Sequence, residues 1–271
     1  MMLQINFDKW TFMSDLSKGI DISIPLAFNG PQPNTYGVPR AQSTAYRDGT
    51  FVGDTREGGS CNFETYTLTP HCNGTHTEGI GHLTMDRIPV HIEPGDSLIP
   101  ACLVSIFPVT PADTKETYTP TLQAKDQLIT KAALAEALSH FPESLTFPAI
   151  LIRTLPNAEQ KTSRDYMETA PPFFTHEAMH FLSALPLRHL LTDLPSLDRL
   201  FDEGLLSNHR IWWNHQHANA EIYHPFKNRT VTEMIFVKDQ IKDGLYLLNL
   251  QLAPFVGDAS PSRPVIYPIL T

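Results

Sequence analysis

Residues 70–82 read PHCNGTHTEGIGH. Cys72, His76, Glu78 and His82 place a thiol, two imidazoles and a carboxylate in this stretch, with His71 beside Cys72. These side chains bind Zn²⁺ or Mn²⁺ and move protons near neutral pH. Gly74 and Thr75 suit a tight bend after ETYTLTP. On such a bend, side chains spaced like Cys72, His76 and Glu78 can converge on one ion. His82, beyond the flexible GIG, is either a further ligand or an acid–base group. The plain alternative is a polar turn whose histidines only hydrogen-bond, in a chain with 12 histidines.

A second pattern, HEAMH at 176–180, matches the His-Glu-x-x-His of zinc proteases, with His176 and His180 on one helix face and Glu177 as base. Its context is poor. Thr175 makes these the first residues of a short helix that must end near Pro186, and no further histidine follows in the protease pattern. A solvated first turn, with Glu177 complementing the helix dipole, is the better reading. Asp193, Ser196 and Asp198 invite a triad assignment, but Ser196 reads as a helix cap. The sequence has no Gly-x-Ser-x-Gly elbow, phosphate loop or dinucleotide fingerprint.

The opening stretch resembles the signature His-x-Gly-Thr-His-x-Asp-x-Pro-x-His of the cyclase-like metal-dependent hydrolases, the family of bacterial kynurenine formamidase and isatin hydrolase. Gly74-Thr75-His76 sets the register. His76 falls on the second histidine, Glu78 on the aspartate and His82 on the last histidine. Cys72 replaces the first histidine, and Ile80 replaces the proline. His71 is one residue out of register and on an extended backbone would point to the opposite side.

The resemblance aligns His209, in NHRIWW, and Glu233, in TVTEMIFV, with the family's downstream ligands. If that alignment slips, His224 is the substitute. It therefore implies a divalent ion, Zn²⁺ or alternatively Mn²⁺, held by Cys72, His76, Glu78, His209 and Glu233, with Cys72 as a thiolate favouring zinc. His82 and Glu233 are the implied catalytic residues, with His82 exchanging protons with water and leaving group. The implied activity is hydrolysis of a small amide, lactam or ester. The substitutions at Cys72 and Ile80 motivate an alternative, a protein that keeps the fold but serves in binding or structure. Members resemble homo-oligomers, so a homodimer or homotetramer is expected.

The elements that must position these residues are mostly strands. Short apolar runs, ACLVSIFPV, AILIRTL, HLLTDL, VTEMIFV, GLYLLNLQLAPF and VIYPIL, read as strands. Helices are expected from Asp126 through KDQLITKAALAEALSHF, from Thr175 through THEAMHFLSAL, and from Ser196 to Gly204. Residues 28–60 read as a long Gly- and Pro-rich excursion with one short strand. Strands that do not alternate strictly with helices predict a mixed fold, neither doubly wound nor a barrel. The resemblance adds the family's swivelling β/β/α-type architecture, a mixed α/β, β-rich single domain over residues 1–271.

Composition narrows the partners. Twenty-nine acidic against 20 basic residues give a net charge of −9, unlike the basic face of a nucleic-acid binder. The start of the chain lacks the basic and apolar regions of a signal peptide, and no run approaches the roughly 20 apolar residues of a membrane helix. Three irregularly spaced cysteines make no disulfide framework. A cytoplasmic protein acting on a small molecule, without nucleic acid or membrane, is the expectation.

Overall fold

The computed structural model describes residues 1–7, 10–92, 98–142, 146–221 and 224–270. Its main sheet has ten strands. Ile99–Ile106, Ala149–Thr154, His189–Thr192 and Thr230–Glu233 run parallel in that order. Ile99–Ile106 also pairs with Gly244–Leu252, which pairs with Ala259–Leu270. The short strand His76–Glu78 then pairs antiparallel with Thr230–Glu233 on one side and Ala259–Leu270 on the other. These last pairings close the sheet into a ring.

The mixed, β-rich α/β expectation holds, while the exclusion of a barrel does not. The closing strand is three polar residues, His-Thr-Glu, all buried. It has neither the length nor the apolar alternation by which a strand is read from sequence.

Alternation in the parallel strands separates two cores. Cys102, Val104, Ile106, Ile150, Ile152, Leu190 and Val231 face outward onto Leu134, Met179, Leu182, Trp212 and Trp213 of the covering helices. Ala101, Leu103, Ala149, Leu151 and Leu191 face the other way, onto Leu248 and Ile266. Burial on both faces explains why these strands read as continuous apolar runs.

The helix capped by Thr175 spans His176–Ala184, as expected, with the Thr175 hydroxyl accepting from Ala178 N–H. The helix expected from Asp126 begins later, at Lys131, because Leu128–Ile129 pair as a strand with Phe173–Phe174 and Thr130 supplies the cap. The helix expected from Ser196 to Gly204 does not form. Residues 193–206 are irregular, and the helix is Ser207–Trp213. Buried side chains from elsewhere claim that segment's backbone: Glu233 accepts from Leu197 N–H, and the Tyr118 hydroxyl from Arg199 N–H. The excursion at 28–60 carries three short strands, Gln42–Ala45, Arg47–Asp48 and Phe51–Val52. Two further strands, Met2–Phe7 and Trp10–Asp15, pair antiparallel beside the ring.

Candidate metal centre

Side chains two apart on a strand point to one side. In His76–Glu78 this sends His76 and Glu78 together toward the site, while Thr77 turns away to share a hydrogen bond with Thr232 Oγ1 at 2.7 Å. The neighbouring strand is in register with Glu233 opposite His76. Glu233 Oε2 lies 3.4 Å from His76 Nε2. The helix Ser207–Trp213 brings His209 over the same point, its Nε2 3.1 Å from Glu78 Oε1 and 3.6 Å from Glu233 Oε1.

Hydrogen bonds fix which nitrogen each ring presents. His76 Nδ1 is 3.0 Å from the Gly74 carbonyl, which only accepts, so Nδ1 is the donor and Nε2 is the lone-pair nitrogen of the neutral ring. His209 Nδ1 likewise donates to Asp198 Oδ2 at 2.6 Å. Asp198 is itself held by Tyr118 OH at 2.8 Å and by the Asn208 N–H at 2.8 Å. A histidine with one nitrogen tied to a carboxylate or carbonyl and the other facing inward is the arrangement of a metal ligand.

His76 Nε2 and Glu78 Oε1 are buried without a hydrogen-bond partner. The 3.1 Å approach of His209 Nε2 to Glu78 Oε1 is close enough for an ion pair but is not aligned as a hydrogen bond. Ligand atoms of Glu78, His209 and Glu233 all lie within 4.8 Å of one another, and all three residues are buried.

Electrostatics tell the same story. Burial opposes ionisation of Glu78, yet the charges of His82 and His209 hold its carboxyl well below the usual range. Burial also opposes a charge on His209, but Glu78, Asp198 and Glu233 together raise it well above an ordinary imidazole. Buried carboxylates need compensating positive charge. Protonated histidine supplies it here, and a divalent cation answers the same need. The donor set of imidazole nitrogen and carboxylate oxygen fits Zn²⁺ or Mn²⁺.

The structure thus brings His76, Glu78, His209 and Glu233 together. His82 sits beside them, its Nδ1 3.9 Å from Glu78 Oε2 and its ring 5.7 Å from that of His209. Cys72 is buried nearby, and burial with the Glu233 charge pushes its thiol up to about 11. Its sulfur is in none of the converging groups.

His71 is in two of them, with Nδ1 2.9 Å from Glu78 Oε2 and Nε2 3.0 Å from Asp258 Oδ2. The expectation that it points away assumed an extended backbone, whereas Pro70–Asn73 form one helical turn, in which period-two alternation does not apply. Burial opposes its charge, but hydrogen bonds to Asp258 and Glu78 raise it to about 10. Gly81, before His82, is required by close approach: a Cβ there would lie 2.1 Å from the Ile88 carbonyl.

Asp258 escaped the sequence reading. It lies far along the chain in VGDAS, where nothing marks an isolated aspartate. His71 and His82 donate to the same Asp258 oxygen and hold this carboxyl well below the usual range. Ser196 caps a local turn, accepting from Asp198 N–H, rather than a helix. His224 begins the turn His224–Lys227, but its side chain lies outside the described residues. In HEAMH, Glu177 is occupied by the Thr117 N–H and hydroxyl, at 2.7 and 2.8 Å, and His176 Nε2 accepts from Thr119 N–H at 3.3 Å. Among the described residues no third ligand converges on His176 and His180.

No helix among the described residues is long and apolar enough to cross a membrane. Kynurenine formamidase of Bacillus cytotoxicus is 25% identical over 264 residues, covering 93% of this chain and 99% of that one. Isatin hydrolase A of Labrenzia aggregata superposes with a TM-score of 0.60 at 15% identity, over 92% of this chain and 93% of that one. The structure of a potential metal-dependent hydrolase with cyclase activity superposes at 0.57 with 17% identity, over 93% and 98%. The superpositions show a shared fold. The model of the Cyclase family matches residues 15–199, well over half of the sequence. The chain belongs to the Cyclase family.

Proposed function

We propose that this protein is a metal-dependent hydrolase of a small amide, with an arylformamide as the preferred class and a cyclic amide such as isatin next. The observation that carries the reading is the buried cage in which Glu78, His209 and Glu233 converge within 4.8 Å beside an unpartnered His76 Nε2. His76, Glu78, His209 and Glu233 would hold the ion, with Asp198 orienting His209. Cys72 would join only as a thiolate, after losing a proton that burial and Glu233 hold tightly. A divalent cation in this cage supplies Lewis acidity toward a carbonyl oxygen and toward water.

His82 is assigned the proton transfers. It accepts a proton as water oxygen adds to the carbonyl carbon, and delivers it to the nitrogen as the C–N bond breaks. For a formamide the products are formate and an amine; for a cyclic amide, the ring-opened acid. Glu233 would anchor the ion and, through the Leu197 N–H at 3.1 Å, the loop carrying Asp198. Hydrolysis at the 25% identical kynurenine formamidase supports the substrate class. Three free cysteines accord with a reducing, cytoplasmic setting, and a homodimer or homotetramer built from single 1–271 domains remains the proposed assembly.

The test is metal content and turnover together. Zinc- or manganese-loaded protein is expected to carry stoichiometric metal and to cleave N-formylkynurenine or isatin. His82→Ala should keep the metal and lose about 10²-fold or more in kcat. A protein that takes up no metal, or a loaded protein that cleaves neither amide, would overturn the reading. Loss of metal in His82→Ala would make His82 a ligand. His180→Ala should leave metal content unchanged.

A further inference from the structure

One carboxylate at the centre has no place in the ligand cage. Asp258 immediately precedes the Ala259–Leu270 strand, whose register sets Ala259 opposite Glu78. That register brings Asp258 across from Gly79, whose N–H donates to the Asp258 carbonyl at 3.0 Å. Its backbone is therefore anchored where the ring of strands closes, and its side chain meets the turn carrying His82. Asp258 Oδ2 lies 3.3 Å from His82 Nδ1 and 3.0 Å from His71 Nε2. His71 in turn reaches Glu78 Oε2 with its other nitrogen at 2.9 Å. The His71 and His82 rings lie 4.5 Å apart at 36°, so each limits the tilt of the other.

A carboxylate only accepts, so a ring nitrogen facing one must carry the hydrogen. In neutral His82 that places the hydrogen on Nδ1 and the lone pair on Nε2. Among the described residues no hydrogen bond engages Nε2, and the His82 side chain is 25% exposed. The free nitrogen is therefore the one opposite the nitrogen that faces Glu78 and Asp258.

We propose that Asp258 is the positioning residue for His82, holding its Nδ1–H so that Nε2 is presented as the proton acceptor. This rests on the reading of His82 as the acid–base group. His71, held between Glu78 and Asp258, braces the carboxylate from the other side. The pairing resembles in its logic the aspartate of a serine-protease triad, which fixes tautomer and ring orientation without reacting itself.

Asp258→Asn is the test, because it keeps the volume and replaces an acceptor by an amide that can donate to Nδ1. Bound zinc should be unchanged and KM should stay within about twofold, while kcat falls by about 10²- to 10³-fold. Asp258→Glu should recover about tenfold or more of that loss. A merely structural aspartate would instead lower the melting temperature and metal content along with kcat, and glutamate would not rescue.

The tautomer can be read without turnover from ring ¹⁵N NMR shifts of His82 in the zinc-loaded protein. Wild type should show Nδ1–H, and Asp258→Asn should shift to Nε2–H. A wild-type Nε2–H tautomer, or the same tautomer and the same kcat in Asp258→Asn, would overturn the proposal. If Asp258→Asn does not fold, the wild-type spectrum still decides. If wild type cleaves no amide but the tautomer switches as described, the hydrolase reading has failed and the positioning by Asp258 stands.

Discussion

Zinc loading at about pH 7.5 should release about one proton per ion from the wild-type protein. The count follows from the rings. His209 Nδ1 is committed to Asp198, and despite burial the charges of Glu78, Asp198 and Glu233 keep the imidazole protonated well above its ordinary pKa. Its Nε2 must lose that proton to bind an ion. His76, with Nδ1 donating to Gly74, already presents Nε2 as its lone-pair nitrogen. His71 lies between Glu78 and Asp258, is raised to about 10, and keeps its proton. The Cys72 thiol, pushed up to about 11, would add a second proton if it ligated as a thiolate.

The sign of the pH dependence follows from the same count. Binding that expels one proton tightens as pH rises, by about tenfold or 1.4 kcal/mol per unit. The dependence holds below the raised pKa of His209 and vanishes above it. Calorimetric titration in two buffers of different ionisation enthalpy measures the count. About one proton in wild type and in Cys72→Ser would leave Cys72 outside the shell; about two falling to about one in Cys72→Ser would place it inside. Metal binding with no proton release and no pH dependence would refute the electrostatic account of the cage.

Asp198→Asn removes the carboxylate behind His209 Nδ1 and should weaken zinc by about 10- to 100-fold. Competition against a chromophoric chelator reads this, and an affinity within about threefold of wild type would contradict the orienting role. His189 is fully buried, with Nδ1 2.8 Å from Thr230 Oγ1, and burial followed by the Arg188 charge pushes its imidazole down to about 3. Above about pH 6.5 both folded and unfolded forms are neutral; between 6.5 and 3 the unfolded chain gains the proton first, so stability falls as pH falls. His189 alone should cost about 2 kcal/mol between pH 7 and pH 5, while His71 and His209, raised in the folded protein, act in the opposite direction. Urea unfolding at the two pH values should give changes that differ by about this amount between wild type and His189→Gln, and an equal change in both proteins would contradict the assignment.

Much of the site was legible because its chemistry is local. His76 and Glu78 are two apart, and any strand of that sequence presents them together. The parallel strands were legible through their runs of Ile, Leu and Val, since both of their faces are buried. Thr175 announced its helix because a hydroxyl cap acts within one turn. Ser196 misled for a related reason: it makes the same local bond, but the backbone beyond it is taken by Glu233 and Tyr118, which lie outside any sequence window.

By itself, then, the sequence determined the donors His76 and Glu78 and their spacing, the donor types and the β-rich class, all set by side-chain chemistry over a few residues. Tertiary structure alone decided the closure of the ring, because a polar three-residue strand has no signature until Thr230–Glu233 and Ala259–Leu270 flank it. It decided that a helical turn swings His71 onto Glu78, where extended backbone would have turned it away. It also decided Asp258, which is 176 residues from His82 and becomes its partner only across that closure. A hydrogen bond needs two groups within about 3 Å, and only the folded sheet brings such distant residues that close.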